Sequence, residues 1–229
     1  LITHGVGFLT AVANGAHHKV YANGEIMKAI CEKIIIPCMT LRDEDAENFE
    51  DEPVEYIRRD IEGSDLDTQR RSAKELVKGL RKNYEQQVTK IFGGYIPVLL
   101  KQYEQNPKQN WKGKDVAMFL LTSLAVTTAR RATGTNKVNP MVPLIPFYKQ
   151  NVVKELQNPS TPILLASSLK FVITFRSQIQ SSEYGTLLPA VLKVFYILFY
   201  FFYYFYFYFY LFFFLKGSWL QILCCSYLC

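Results

Sequence analysis

Two segments, LLKQYEQNP ending at Pro107 and NVVKELQNP ending at Pro159, close in the same way 52 residues apart. Each is an apolar and polar run stopped by Asn-Pro, and each is followed by another apolar run. Proline has no amide proton and pushes the preceding residue out of helical conformation, so both are helix stops. Helical spacing fills the intervals between such stops. Ile26, Ile30 and Ile34 follow Asn23-Gly24 at steps of four, which predicts a helix stopping at Pro37. Residues 66–83 place Ala73, Leu76, Val77 and Leu80 on one face and Arg and Lys on the other. Val88, Ile91, Phe92, Tyr95, Leu99 and Tyr103 form the next stripe, with a kink expected at Pro97. Further helices are expected over 114–128 and 144–156, and from Ser160 or Thr161 to Arg176 with Pro162 near its first position. In the 114–128 helix Asp115 falls in the first turn, where a carboxylate suits the helix dipole. No sustained period-two alternation occurs before residue 195, and GTNKV at 134–138 reads as a turn. The chain reads as all-α.

CEKIIIP, ending at Pro37, resembles an earlier member of the same series, separated by an acidic insertion. Helix pairs recurring every ~40–47 residues, stretched by insertions, are the signature of a HEAT-type α-solenoid of antiparallel helix pairs. An irregular helical bundle is the alternative that periodicity alone leaves open.

Charge is unevenly spread. Twelve of the 20 acidic residues lie between Asp43 and Asp67, a window with only two basic residues, Arg58 and Arg59. The net charge of +6 comes from scattered Lys and Arg broken by this block, which argues against a nucleic-acid partner. The acidic run Asp43–Glu55 reads as a solvated loop, or as an electrostatic lure for basic partner surfaces that would raise association rate more than affinity. After it, Arg58, Arg59, Asp60 and Glu62 precede Gly63-Ser64-Asp65, setting dense opposite charge beside a flexible break. Leu66 would anchor the next helix, Asp65 or Asp67 would cap it, and Arg70 and Arg71 would sit one to two turns inside. These nine positions (Arg58, Arg59, Asp60, Glu62, Gly63, Asp65, Asp67, Arg70 and Arg71) are the candidate site, either a hinge with local pairing or a partner contact.

Enzymatic and metal chemistry finds no footing. His17-His18 are adjacent, point apart on a helix and lack acidic or Cys partners at helical spacing, so a surface or capping role is expected. There is no EF-hand pattern, no phosphate loop and no nucleophile elbow. Trp111 reads as packing beneath a repeat junction. Five cysteines without a C-x-x-C pair fit reduced thiols better than a disulfide framework. No catalytic residue, metal or cofactor is expected, and the opening Leu-Ile-Thr-His, without a basic stretch before an apolar run, does not read as a signal peptide. The absent initiator Met suggests a fragment.

Residues 55–80, EYIRRDIEGSDLDTQRRSAKELVKGL, resemble the importin-α re-exporting branch of the karyopherin-β family. The resemblance continues in AICEKIIIPCM and EDAENFEDEPVEYIRRD upstream, and in VTKIFGGYI, NPKQNWKGKDVAMFLLTSLA and LKFVITFRSQ downstream. It covers residues 9–193 and implies a middle portion of a longer HEAT solenoid. It further implies a non-enzymatic receptor that binds Ran-GTP and importin-α together, passes the pore through contacts with nuclear pore proteins, and shuttles between nucleus and cytoplasm. The stretch 43–67 would then be an insertion in one repeat that helps set solenoid curvature.

Half of the aromatic residues lie in 195–214, within an uncharged run from Val194 to Leu215 flanked by Lys193 and Lys216. The length suits a membrane span, but Tyr is strewn through the middle, where spanning helices place Leu, Ile and Val. Phe, Tyr and Leu share T-rich codons, and Lys193-Val194 can be encoded AAG-GT, the shape of a splice donor. Residues 1–193 are therefore expected to be the repeat segment and 194–229 a translated intron, the membrane signal at 194–215 being spurious. The competing functional readings are a tail-anchored membrane protein with a helical cytosolic domain, and a HEAT scaffold unrelated to transport.

Overall fold

The computed structural model describes residues 1–53, 55–57, 68–130, 134–183 and 185. The chain divides into two compact units, Leu1–Gln180 and Ser181–Cys229. In the second, the described residues 181–183 and 185 are helical, and the aromatic run lies outside the described residues.

The first unit is a succession of packed helices. Helix α1, Ile2–Asn14, leads through a 3₁₀ turn, His18–Ala22, into α2 over 24–39. Asn23 caps α2, its Oδ1 accepting the Glu25 amide at 2.8 Å. Pro37 does not stop this helix. The turn before it, Cys31–Ile35, is a π-helix, in which the Ile36 amide reaches back to the Cys31 carbonyl. The widened turn makes room for the proline ring, and the chain continues helically to Met39. A second π turn, Tyr148–Val152, lies after a proline, Pro146, instead of before one.

The acidic run forms α3, Asp43–Asp51, rather than a loop. After the insertion, Thr68 caps α4, Gln69–Gly93, by accepting the Arg71 amide at 3.2 Å. This helix bends at Tyr84, whose φ of −133° and ψ of 40° are non-helical. It ends at Gly93, not near Asn83 as spacing suggests, and Tyr95–Gln105 forms α5. Pro97 sits in the first turn of α5, where no intrahelical donor is needed, so it introduces no kink.

Helix α6, Trp111–Ala125, stops three residues earlier than expected and runs into an antiparallel hairpin, β1 Val126–Arg130 and β2 Gly134–Val138. GTNKV is thus a strand, not a turn. The β-branched run from Val126 and the Asn139 amide, which donates to the Ala125 carbonyl at 2.8 Å, divert the chain from helix at this point. Helix α7 covers 144–157, and α8 is Pro162–Thr174, with Thr161 as cap and Pro162 at its first position, as its sequence indicates.

Helix α4 is central, packing on α1, α2 and α6; α5 pairs with α6, and α8 lies on α6 and α7. Its inner stripe, Ala73, Leu76, Val77 and Leu80, is fully buried. Gly79 marks the closest approach to α1: a Cβ there would stand 2.9 Å from Asn14 Nδ2 and 3.5 Å from Ala13 Cβ. Cys31 and Cys38 are free and buried. Desolvation, with Glu32 adding to it, pushes the Cys31 thiol up to about 12, so it has no thiolate character at neutral pH.

Candidate functional site

Seven of the nine candidate residues, Arg58, Arg59, Asp60, Glu62, Gly63, Asp65 and Asp67, lie outside the described residues. The flanks of that stretch are described, and both are fixed to one helix.

On the near flank, α3 holds together because its acidic residues crowd its N-terminus, where the helix dipole favours them. The Arg42 amide donates to Asp45 Oδ2 at 2.9 Å, and its guanidinium donates to both carboxylate oxygens at 3.0–3.1 Å. Burial pushes the Asp45 carboxyl up, but the bonds from Arg42 and the charges of Arg42 and Arg70 outweigh it and hold the group below its ordinary range. The opposite side of α3 is apolar. Phe49 is buried with Leu41 and Ile163, and Trp111, Tyr56, Ile57 and Ala166 pack around them. Phe49 and Tyr56 meet edge to face at 5.4 Å. Trp111 therefore packs at a junction between helices, as its position before a helix suggests. Lys112, next to it, donates to Asp43 Oδ1 at 2.6 Å.

On the far flank, Arg70 and Arg71 stand in the first turn of α4, earlier in that helix than spacing suggests, because Thr68 supplies the cap. Arg70 Nη2 lies 2.9 Å from Asp115 Oδ2, and its guanidinium covers the Phe119 ring at 4.4 Å. Asp115 is 1% exposed and also accepts the Ser167 hydroxyl of α8 at 2.7 Å. It is a buried ion-pair partner, not a dipole-facing surface carboxylate. Arg71 is half-buried and donates its amide to Thr68.

Three buried charges escaped the sequence reading. Lys114 and Glu155, 5% and 3% exposed, pair at 2.7 Å between α6 and α7. The Ser160 amide and hydroxyl and the Tyr103 hydroxyl complete the shell of Glu155. Burial raises the Glu155 carboxyl, yet Lys114 and Ser160 more than offset it and hold it low. Arg81 donates to the Ser123 and Val126 carbonyls at 3.1 and 2.9 Å, satisfying the end of α6, and pairs with Glu85. Their signal in sequence was only a charge on an otherwise apolar face. His18, expected at the surface or as a cap, instead meets Tyr84: its Nδ1 lies 2.9 Å from the Tyr84 hydroxyl, and its carbonyl accepts from that hydroxyl at 3.1 Å.

No group of three His, Cys, Asp or Glu able to hold a metal ion occurs among the described residues. Nor is any helix among them long and apolar enough to cross a membrane. What the arrangement offers is a charged, apolar-backed seat from which a short insertion departs.

A family model described as Cse1 matches residues 1–205. Curated relatives named Exportin-2 include one from Drosophila melanogaster, 42% identical over 84% of this chain and 20% of its own length. Another is from Homo sapiens, 38% identical with the same coverage. The chain thus spans about a fifth of the length of these relatives. A solved structure titled "The exportin Cse1 in its cargo-free, cytoplasmic state" superposes with a TM-score of 0.77 at 35% identity, over 82% of this chain and 21% of the other.

Proposed function

The chain belongs to the Cse1 family, and on that premise we propose that it is a central stretch of a nuclear export receptor that binds Ran-GTP and importin-α together and returns importin-α to the cytoplasm. The observation that carries this reading is the superposition of its stacked helices on the solved exportin, a TM-score of 0.77 at 35% identity. In this reading the receptor is not an enzyme. It grips its partners through surface complementarity, touches nuclear pore proteins in transit, and divides its time between nucleus and cytoplasm. Residues 58–71 serve as the hinge or contact of one repeat, and residues 194–229 are a translated intron, which genomic sequence and transcripts across Lys193 would test.

The acidic face of α3 then acts as a lure. Exposed carboxylates attract a basic partner before contact and raise the encounter rate, an effect that salt screens. The experiment is a binding assay on the complete gene product with importin-α and with Ran loaded with GTP or GDP. Importin-α should be retained only with the GTP form; equal retention with GDP, or none with either, would sink the reading. Neutralising Glu50, Asp51, Glu52 and Glu55 should slow association at low salt by about tenfold and leave dissociation unchanged.

A further inference from the structure

Both ends of the insertion are seated on the first two turns of α6. Trp111 closes the apolar cluster under α3, Lys112 holds Asp43, and Asp115 holds Arg70 at the start of α4. Asp115 differs from the other two anchors in being buried and in having a second partner on another element, Ser167 of α8. One carboxylate therefore touches the helix that leaves the insertion on one oxygen and a helix from later in the chain on the other. The charge of Arg70 also helps Arg42 to keep Asp45 on the near flank ionised, so the two flanks share it.

The geometry points to Asp115 as the positioning residue of the two flanks, coupling helix α8 behind it to the start of α4 through Arg70 and, beside it, to α3. This rests on the reading of 58–71 as a hinge or contact. Arg70 is 21% exposed at its side chain and stacked on Phe119, so its direction is set by Asp115 and not by solvent. Removing the carboxylate charge leaves a guanidinium with no buried partner, which turns outward and releases the first turn of α4. A shift of α8 that moved Ser167 would act on the same oxygen pair and reach the insertion by the same route.

Hydrogen exchange in the complete gene product, without partners, tests this. Asp115→Asn should speed exchange about tenfold or more in residues 43–57 and 69–76, while residues 83–92 at the far end of α4 keep their protection. Lys114→Met is the control: it breaks the neighbouring buried pair to Glu155, on the same helix, without touching either flank. Equal loosening of the flanks by both variants would show Asp115 to be merely structural and overturn the proposal. If Asp115→Asn does not fold, Ser167→Ala weakens the same carboxylate more gently. It should loosen the same two segments about twofold to threefold, and unchanged exchange would overturn the proposal. Because no partner is present, failure here is separate from failure of the Ran-GTP assay.

Discussion

At its start, helix α4 is held by charge: Arg70 reaches the buried Asp115, and Lys112 and Arg42 tie down the acidic helix beside it. At its bend, on the face turned to α1 and the turn that follows α1, the same helix is held by neutral groups. Asn83 donates to the Ala13 carbonyl at 3.0 Å, Tyr84 to His18 at 3.1 Å and Gln87 to Ala22 at 3.3 Å. Neutral side chains on backbone carbonyls hold one fixed arrangement and are indifferent to carboxylate titration. Charged anchors stabilise just as well at neutral pH, but they respond to protons, salt and an approaching charge. The receptor proposed above, which would alternately hold and release partners, would have use for both, a fixed seam and a responsive one, on a single helix.

The sharpest way to test what charge contributes is to remove a buried one from the ion pair next to the responsive side, between α6 and α7. Glu155→Gln strands the Lys114 ammonium at 5% exposure and should cost about 3–5 kcal/mol, read as a lowered urea midpoint at unchanged slope. A cost near zero would mean that a buried charge pair in this fold contributes no more than a neutral hydrogen bond.

Acid should separate them next. Asp45 and Glu155 both titrate below their ordinary values of 3.8 and 4.5. A depressed carboxyl adds stability that is fully present above the unfolded value and is lost as pH falls through the folded one. Stability should therefore begin to decline near pH 4.5 and fall further below 3.8, with exchange protection disappearing from α3 before residues 83–87. Simultaneous loss at both places would erase the distinction.

The smallest effect sharpens the neutral side. Tyr84→Phe deletes the hydroxyl shared with His18 and should cost about 1 kcal/mol, with the same cost at low salt and at about 1 M. A salt-dependent cost would show that charge enters this seam too.

Where local rules suffice, the sequence announces the fold plainly. Asn106-Pro107 and Asn158-Pro159 end their helices, and Thr161-Pro162 starts the last long one. Pro37 and Pro97 mislead because a proline's effect depends on the turn around it, a widened one before the first and an N-terminal one at the second. Helix α3 is hidden for another reason: its charge density reads as solvated chain, and what makes it a helix is Phe49 docking with Leu41 and Ile163, the last more than a hundred residues away in sequence. Asp115 is equally illegible. A helix starting at Lys114 would put it in the first turn and invite a dipole explanation, whereas the helix starts at Trp111 and its partners, Arg70 and Ser167, come from separate helices. Of the nine candidate residues only Arg70 and Arg71 are described, and the seat beneath Arg70 was not legible from sequence.

The missing side chain at Gly79 has a reach beyond its own neighbourhood. Any bulk there would have to displace the Asn14 amide and then prise α1 from α4. In a long stacked rod, a wedge at one joint becomes an angle, and the angle multiplied by the length beyond it becomes a displacement at the tip. One hydrogen atom in place of a carbon thus helps calibrate the lean of α1 on α4, and with it the course of any repeats stacked beyond.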